Sequence, residues 1–178
     1  MTPILSHDNP IIEEKFIGFI VDLFVSKFLN KIDKKGRISL PSLFRSVLPQ
    51  SDKNEIILFK SLKYKSIEGC NSNRINEIAE RINKLDIFSD DQDDFATSVF
   101  SEIIPTNLDK EGRFLIPENL KSHANISSQA VFIGQGHFFQ IWEPAAALAR
   151  QEQSRMRLIK EKKTLSSIIS KINSKNEK

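Results

Sequence analysis

One eleven-residue segment occurs twice. Lys31-Ile32-Asp33-Lys34-Lys35-Gly36-Arg37-Ile38-Ser39-Leu40-Pro41 returns 76 residues later as Asn107-Leu108-Asp109-Lys110-Glu111-Gly112-Arg113-Phe114-Leu115-Ile116-Pro117. The match runs on, with Phe44-Arg45 aligning with Leu120-Lys121. The chain has only six glycines, and two of them, Gly36 and Gly112, fall at the same place in both copies. Two copies in register mark a duplicated structural unit, because a solenoid needs three or more repeats to bury a continuous core.

Each copy has a local physical reading. An apolar stretch precedes the aspartate (Phe24, Val25, Phe28 and Ile32 in the first copy), and after the glycine Ile38 and Leu40 alternate with Arg37 and Ser39. That alternation is a strand pattern. The intervening Asp-x-x-Gly is turn chemistry: the carboxylate accepts backbone N–H groups, and glycine takes the positive φ that closes a bulged hairpin. Each copy therefore predicts a β-hairpin with Lys and Arg at its tip. Pro41 and Pro117 end the strand and are expected at the first helical position of short helices over Ser42–Val47 and Glu118–Ala124.

More strands are expected at Glu55–Phe59, Ser66–Cys70, Ala130–Ile133 and Phe138–Trp142, with a turn at Gly134-Gln135-Gly136. Ile75, Ile78, Ala79, Ile82 and Leu85 follow helical spacing and predict an amphipathic helix over residues 72–86. Pro144 opens a second helix, with Leu148, Glu152, Met156 and Ile159 on one side; residues 165–178 are polar enough to fray. The expected fold class is α+β with a mainly-β core, an inter-repeat helix and a C-terminal helix. Its parts are an N-terminal extension over 1–22, a first repeat with its helix over 23–100, a second repeat with the C-terminal helix over 101–160, and a basic polar tail over 161–178.

Hydrophobic residues make up 39% of the 178-residue chain and charged ones 28%, within the range of soluble globular proteins. The net charge of +3 is small, but its distribution is uneven. Six Lys or Arg stand against one Asp between Phe24 and Leu48, and eight stand against three Glu from Gln151 onward. Asp86, Asp90, Asp91, Asp93 and Asp94 form an acid cluster between them. This segregation suggests one face that attracts polyanions. The apolar run Phe16–Leu29 is interrupted by Asp22 and Lys27 and is shorter than the about 20 residues of a membrane span. With Asp8, Glu13 and Glu14 ahead of it, it does not read as a signal peptide.

Catalytic and metal chemistry find little support. His7, His123 and His137 lack metal-ligand spacing, and Cys70 excludes an internal disulfide framework because it is the one cysteine. Cys70 lies in an apolar strand-like context, which favours a buried, inert thiol. Gly134-Gln135-Gly136 sits between two strands and is not a phosphate loop. Trp142 and the phenylalanines read as core or interface. No cofactor, metal, membrane or small-molecule substrate is expected, and the chain is not read as an enzyme.

The two Asp-x-x-Gly-Arg-x-x-x-Pro units resemble the MraZ family, within the AbrB/SpoVT-like superfamily of bacterial DNA-binding proteins. Glu68-Gly69-Cys70 and the segment Val131-Phe132-Ile133-Gly134 … Phe139-Gln140-Ile141-Trp142 support the resemblance, which covers roughly residues 24–160. It implies a duplicated swapped-hairpin, double-split β-barrel with helices outside, and ring-shaped homo-oligomers. It also implies a transcriptional regulator of the division and cell-wall gene cluster, in the cytoplasm at the nucleoid, with double-stranded promoter DNA as partner. Two features depart from the family pattern. Residues 1–22 precede the usual start near Phe24 and are read as a dispensable extension, and Glu111 stands where the first unit has Lys35.

On this reading the nucleic-acid contacts are Arg37, Arg113, Lys34, Lys35 and Lys110. A two-stranded ribbon fits the major groove, where an arginine pairs bidentately with guanine, and the lysines would hold phosphates. The competing reading is that each arginine pairs with its own aspartate and stiffens the turn. Asp33, Gly36, Asp109 and Gly112 are turn-forming support. Arg45 and Lys121 are expected to face phosphate or, preferably, an adjacent subunit. Cyclic symmetry would present the tips in the same sense, so the operator is expected to hold direct repeats about 10–10.5 bp apart. Two other readings are an oligomeric scaffold for protein partners and an antitoxin-like DNA binder.

Overall fold

The computed structural model describes residues 23–52 and 54–176. The extension over 1–22 lies outside the described residues. The chain divides after Glu143 into two compact units.

Among its described residues the first unit holds eight strands: β1 (Lys27–Lys31), β2 (Arg37–Ser39), β3 (Glu55–Lys60), β4 (Ile67–Cys70), β5 (Ile104–Asn107), β6 (Arg113–Leu115), β7 (Gln129–Gly134) and β8 (Phe139–Trp142). Four belong to each repeat. All pairings are antiparallel, in a six-stranded sheet of order β1-β7-β8-β4-β3-β5 and a two-stranded ribbon β2-β6. The order is a palindrome of repeats: the first strand of each copy lies at a sheet edge against the third strand of the other. In the ribbon, Ile38 stands opposite Phe114, its counterpart in the other copy. An approximate two-fold axis therefore passes between these two residues.

This corrects the hairpin expectation. Each tip is closed locally, but its two arms do not pair with each other. β1 runs onto β7, with Ile32 N–H donating to Ser128 O (2.9 Å), and β2 runs onto β6, with Leu40 N–H donating to Gly112 O (2.9 Å). The second copy repeats the pattern, as Leu108 N–H donates to Asn54 O (2.7 Å).

The core lies between the sheet and the ribbon, and Phe44 occupies its middle. Its ring meets Phe24, Phe28, Phe132 and Phe139 at centroid distances of 5.2–6.2 Å. Ile38, Leu40, Phe114, Ile116 and Leu120, all from the segments that follow the two tips, belong to the same cluster. Thus the strand leaving each tip is anchored by buried apolar residues one and three positions beyond the arginine, Ile38 and Leu40 in the first copy and Phe114 and Ile116 in the second.

Short helices α1 (Ser42–Arg45) and α4 (Glu118–His123) follow the repeats. Pro41 and Pro117 sit at the N-cap, with ψ of 140° and 136°, not at the first helical position. The inter-repeat segment forms two helices where one was expected. α2 (Ser72–Ile82) is capped by Asn71, and α3 (Asp90–Phe100) by Ser89, whose side chain accepts from Gln92 N–H at 3.2 Å. Most of the acid cluster is the first turn of α3: Asp90, Asp91 and Asp93 lie at its positive end.

The second unit, from Pro144, consists of α5 (Pro144–Lys160) and α6 (Leu165–Asn176). The segment expected to fray is helical because Thr164 and Ser167 cap it reciprocally, each side-chain oxygen accepting the other's N–H at 3.1 Å. Among the described residues no helix is long and apolar enough to cross a membrane.

Candidate nucleic-acid interface

The two tips are built alike. Asp33 Oδ1 accepts from Lys35 N–H (2.8 Å) and Arg37 N–H (2.9 Å); Asp109 Oδ1 accepts from Glu111 N–H (3.0 Å) and Arg113 N–H (2.8 Å). Gly36 and Gly112 close the turns at φ of 79° and 74°, where a side chain is strained. Asp33 and Gly36 shape the first turn, and Asp109 and Gly112 the second. The second aspartate oxygen receives the guanidinium: Arg37 Nε lies 2.9 Å from Asp33 Oδ2, and Arg113 Nε lies 2.8 Å from Asp109 Oδ2.

Each arginine is therefore paired with its own aspartate, and about 30% of each side chain stays accessible. The antiparallel ribbon also brings the tips together. Arg37 Nη1 lies 3.6 Å from Asp109 Oδ2, so an ion pair spans the two copies. The Arg37 N–H, helped by the Arg37 guanidinium and the Lys35 N–H and opposed by desolvation, holds the Asp33 carboxyl below its ordinary value. The Arg113 N–H and guanidinium do the same at Asp109, and that carboxylate in turn raises the pKa of Arg113. The carboxylates stay ionised and the arginines stay oriented.

Lys34, Lys35 and Lys110 are exposed and form no salt bridge among the described residues. Counting ionic side chains, the first tip (Asp33, Lys34, Lys35, Arg37) carries two net positive charges, and the second (Asp109, Lys110, Glu111, Arg113) carries none. The second tip also differs in its bracing. Arg45 does not point outward to phosphate or to a neighbour. Its Nη1 donates to Leu40 O and to Glu111 O, both at 3.1 Å, and its guanidinium packs against Gly112. Among the described residues the side chain of Lys121, the equivalent residue of the second copy, makes only a long contact to Glu118 at 3.9 Å.

The bracing by Arg45 and the crossing contact from Arg37 to Asp109 were not legible in sequence; the only signal was that the two motifs are identical enough to be related by a two-fold. The remaining candidates lie elsewhere. Cys70 is buried in β4, and desolvation pushes its thiol up to about 12. His123 Nε2 lies 3.2 Å from Tyr64 O, and Trp142 is buried with its Nε1–H on Gln140 Oε1 at 3.1 Å. Among the described residues no group of three or more His, Cys, Asp or Glu is placed to hold a metal.

A family model described as "MraZ protein, putative antitoxin-like" matches residues 99–167. A protein of Pelagibacter ubique named transcriptional regulator MraZ is 44% identical over 124 residues, which cover 70% of this chain and 80% of that protein. Its namesakes from Rickettsia canadensis and Rickettsia bellii are each 40% identical, over 124 and 125 residues, covering 70% of this chain and 83% of those proteins. Such identity, sustained over four-fifths of the relatives' length, shows that the chain belongs to the MraZ family.

Proposed function

We propose that this chain is a sequence-specific DNA-binding regulator of transcription, acting on the division and cell-wall gene cluster through the paired tips of a ring-shaped homo-oligomer. The observation that carries the reading is the geometry of the ribbon end. Two turns related by a two-fold lie side by side, each presenting a fixed, partly accessible arginine beside unpaired lysines. A rigid two-stranded element with oriented arginines suits the major groove, and exposed lysines suit phosphate. The relatives' name supports the same reading. For the fold we propose the swapped-hairpin, double-split barrel; the pairing of β1 with β7, β5 with β3 and β2 with β6 supports it. On this reading the protein works at the nucleoid in the cytoplasm, and its operator is a set of direct repeats about one helical turn apart.

The test is fluorescence anisotropy of the full chain with a labelled duplex from the region upstream of its own gene. Selective binding that falls steeply with salt is expected. Arg37→Ala should lose about 1–3 kcal/mol per contacted site with its melting temperature preserved. Equal affinity of wild type and Arg37→Ala, or no preference over a scrambled duplex, overturns the reading and favours a scaffold.

A further inference from the structure

Both arginines are held by their own aspartate, but Arg113 has a further anion. Glu111 Oε2 lies 2.8 Å from Arg113 Nη2, while the place of Glu111 in the first tip is held by Lys35, of the opposite charge. Among the described residues the second carboxylate near Arg37 is Asp109, at the longer 3.6 Å. The Glu111 side chain is 64% exposed, so packing does not hold it there. Its backbone, by contrast, is fixed from below by Arg45 Nη1 on its carbonyl. The arrangement is a charged arm on a braced mount, reaching a nitrogen that an arginine uses in its fork to carboxylate, phosphate or guanine.

We propose that Glu111 is a built-in competitor for nucleic acid, holding Arg113 until an incoming phosphate or guanine edge displaces it. The first tip makes the initial contact and the second engages only on a ligand anionic enough to win the exchange. Glu111 thereby sets how affinity is divided between the two tips. This inference rests on the DNA-binding reading above.

The full chain, its Glu111→Gln and Glu111→Ala variants, and each of these combined with Arg113→Gln are titrated with the labelled upstream duplex across a salt series. Glu111→Gln removes the charge, and Glu111→Ala also removes the acceptor, so the second should gain at least as much as the first. Each phosphate newly engaged steepens the salt slope by about 0.9. At 0.1 M salt that corresponds to roughly fivefold to tenfold tighter binding per second tip. In the Arg113→Gln background the same substitutions should gain less than about twofold, because there is no arginine left to release. An equal gain in both backgrounds would mean a diffuse charge effect and would overturn the competitor. No gain in either, with wild type binding and Arg37→Ala weakened, overturns it while leaving the DNA-binding reading intact. Absence of binding by wild type and all variants removes both.

Discussion

Arg45 and Lys121 occupy the same place in the two copies, so the chain supplies its own control for what a long cation contributes behind a tip. Arg45→Met keeps an apolar stem beside Gly112 but deletes the donor that serves Leu40 O and Glu111 O. A hydrogen bond from a charged group is worth about 1.5–3 kcal/mol when shielded. Only the bond to Leu40 is part-buried, and the one to Glu111 is exposed, so the exposed bond adds little and the pair is taken together as about 2 kcal/mol. For a chain of this size that lowers the melting temperature by roughly 4–8 °C. Lys121→Met loses only an open contact at 3.9 Å to an exposed glutamate, and the expected change is within about 0.5 kcal/mol. Urea unfolding followed by circular dichroism, with both variants in parallel, measures the difference. Amide hydrogen exchange should quicken at Glu111 and Gly112 in Arg45→Met and stay unchanged at Lys35 and Gly36. Equal stability losses in the two variants, or quickened exchange at the first tip instead, would refute the bracing role.

Further outcomes follow from the ionisable groups. Because burial pushes the Cys70 thiol up to about 12, iodoacetamide at pH 8 should label the chain only in denaturant; rapid labelling of the native protein would contradict the burial. The unfolded thiol ionises near 9.0 while the folded one does not, so stability should decline as the pH rises above that value. Asp33 and Asp109 have folded pKa values below the unfolded 3.8, so their contribution is complete above about pH 5 and is lost as acid takes the pH down through and below 3.8. In an NMR titration the amides of Lys35, Arg37, Glu111 and Arg113 should shift with midpoints below 3.8, and midpoints at or above it would show that these carboxylates are not stabilised.

What the sequence disclosed was local chemistry. Asp33 and Asp109 bond to N–H groups two and four residues on, and Gly36 and Gly112 turn the chain in place, so the tips could be read from spacing alone. The alternation of Ile38 and Leu40 says that one face is buried but not which strand lies alongside. A strand of that pattern pairs as readily with its own hairpin arm as with β6, and the choice was made by residues 76 positions away. α3 was missed because its apolar residues, Phe95, Ala96, Val99 and Phe100, all fall in its second half and leave its first half without a helical stripe. Ser89 followed by acids in the first turn was the available sign. Glu111 was legible as a charge but not as a partner of Arg113, since two residues in sequence face each other only once the turn has bent. Arg45 was misplaced for a similar reason: its acceptors belong to two segments that meet only in the folded unit.

The crossing of strands between copies has a consequence for synthesis. β1 finds its ladder partner about 100 residues further along, with Lys27 opposite Ile133. At translation rates of about 5–20 residues per second, that edge waits roughly 5–20 s for β7 to be made. Through that interval the first copy offers an unpaired strand and half a core. A nascent chain so arranged has high contact order, which slows folding and lengthens exposure to aggregation. A chain carrying only one copy would meet the same vacancy permanently and would have to borrow a third strand from another molecule. Duplication within one polypeptide turns that encounter into an intramolecular closure, whose entropy cost grows only slowly with the length of the connection.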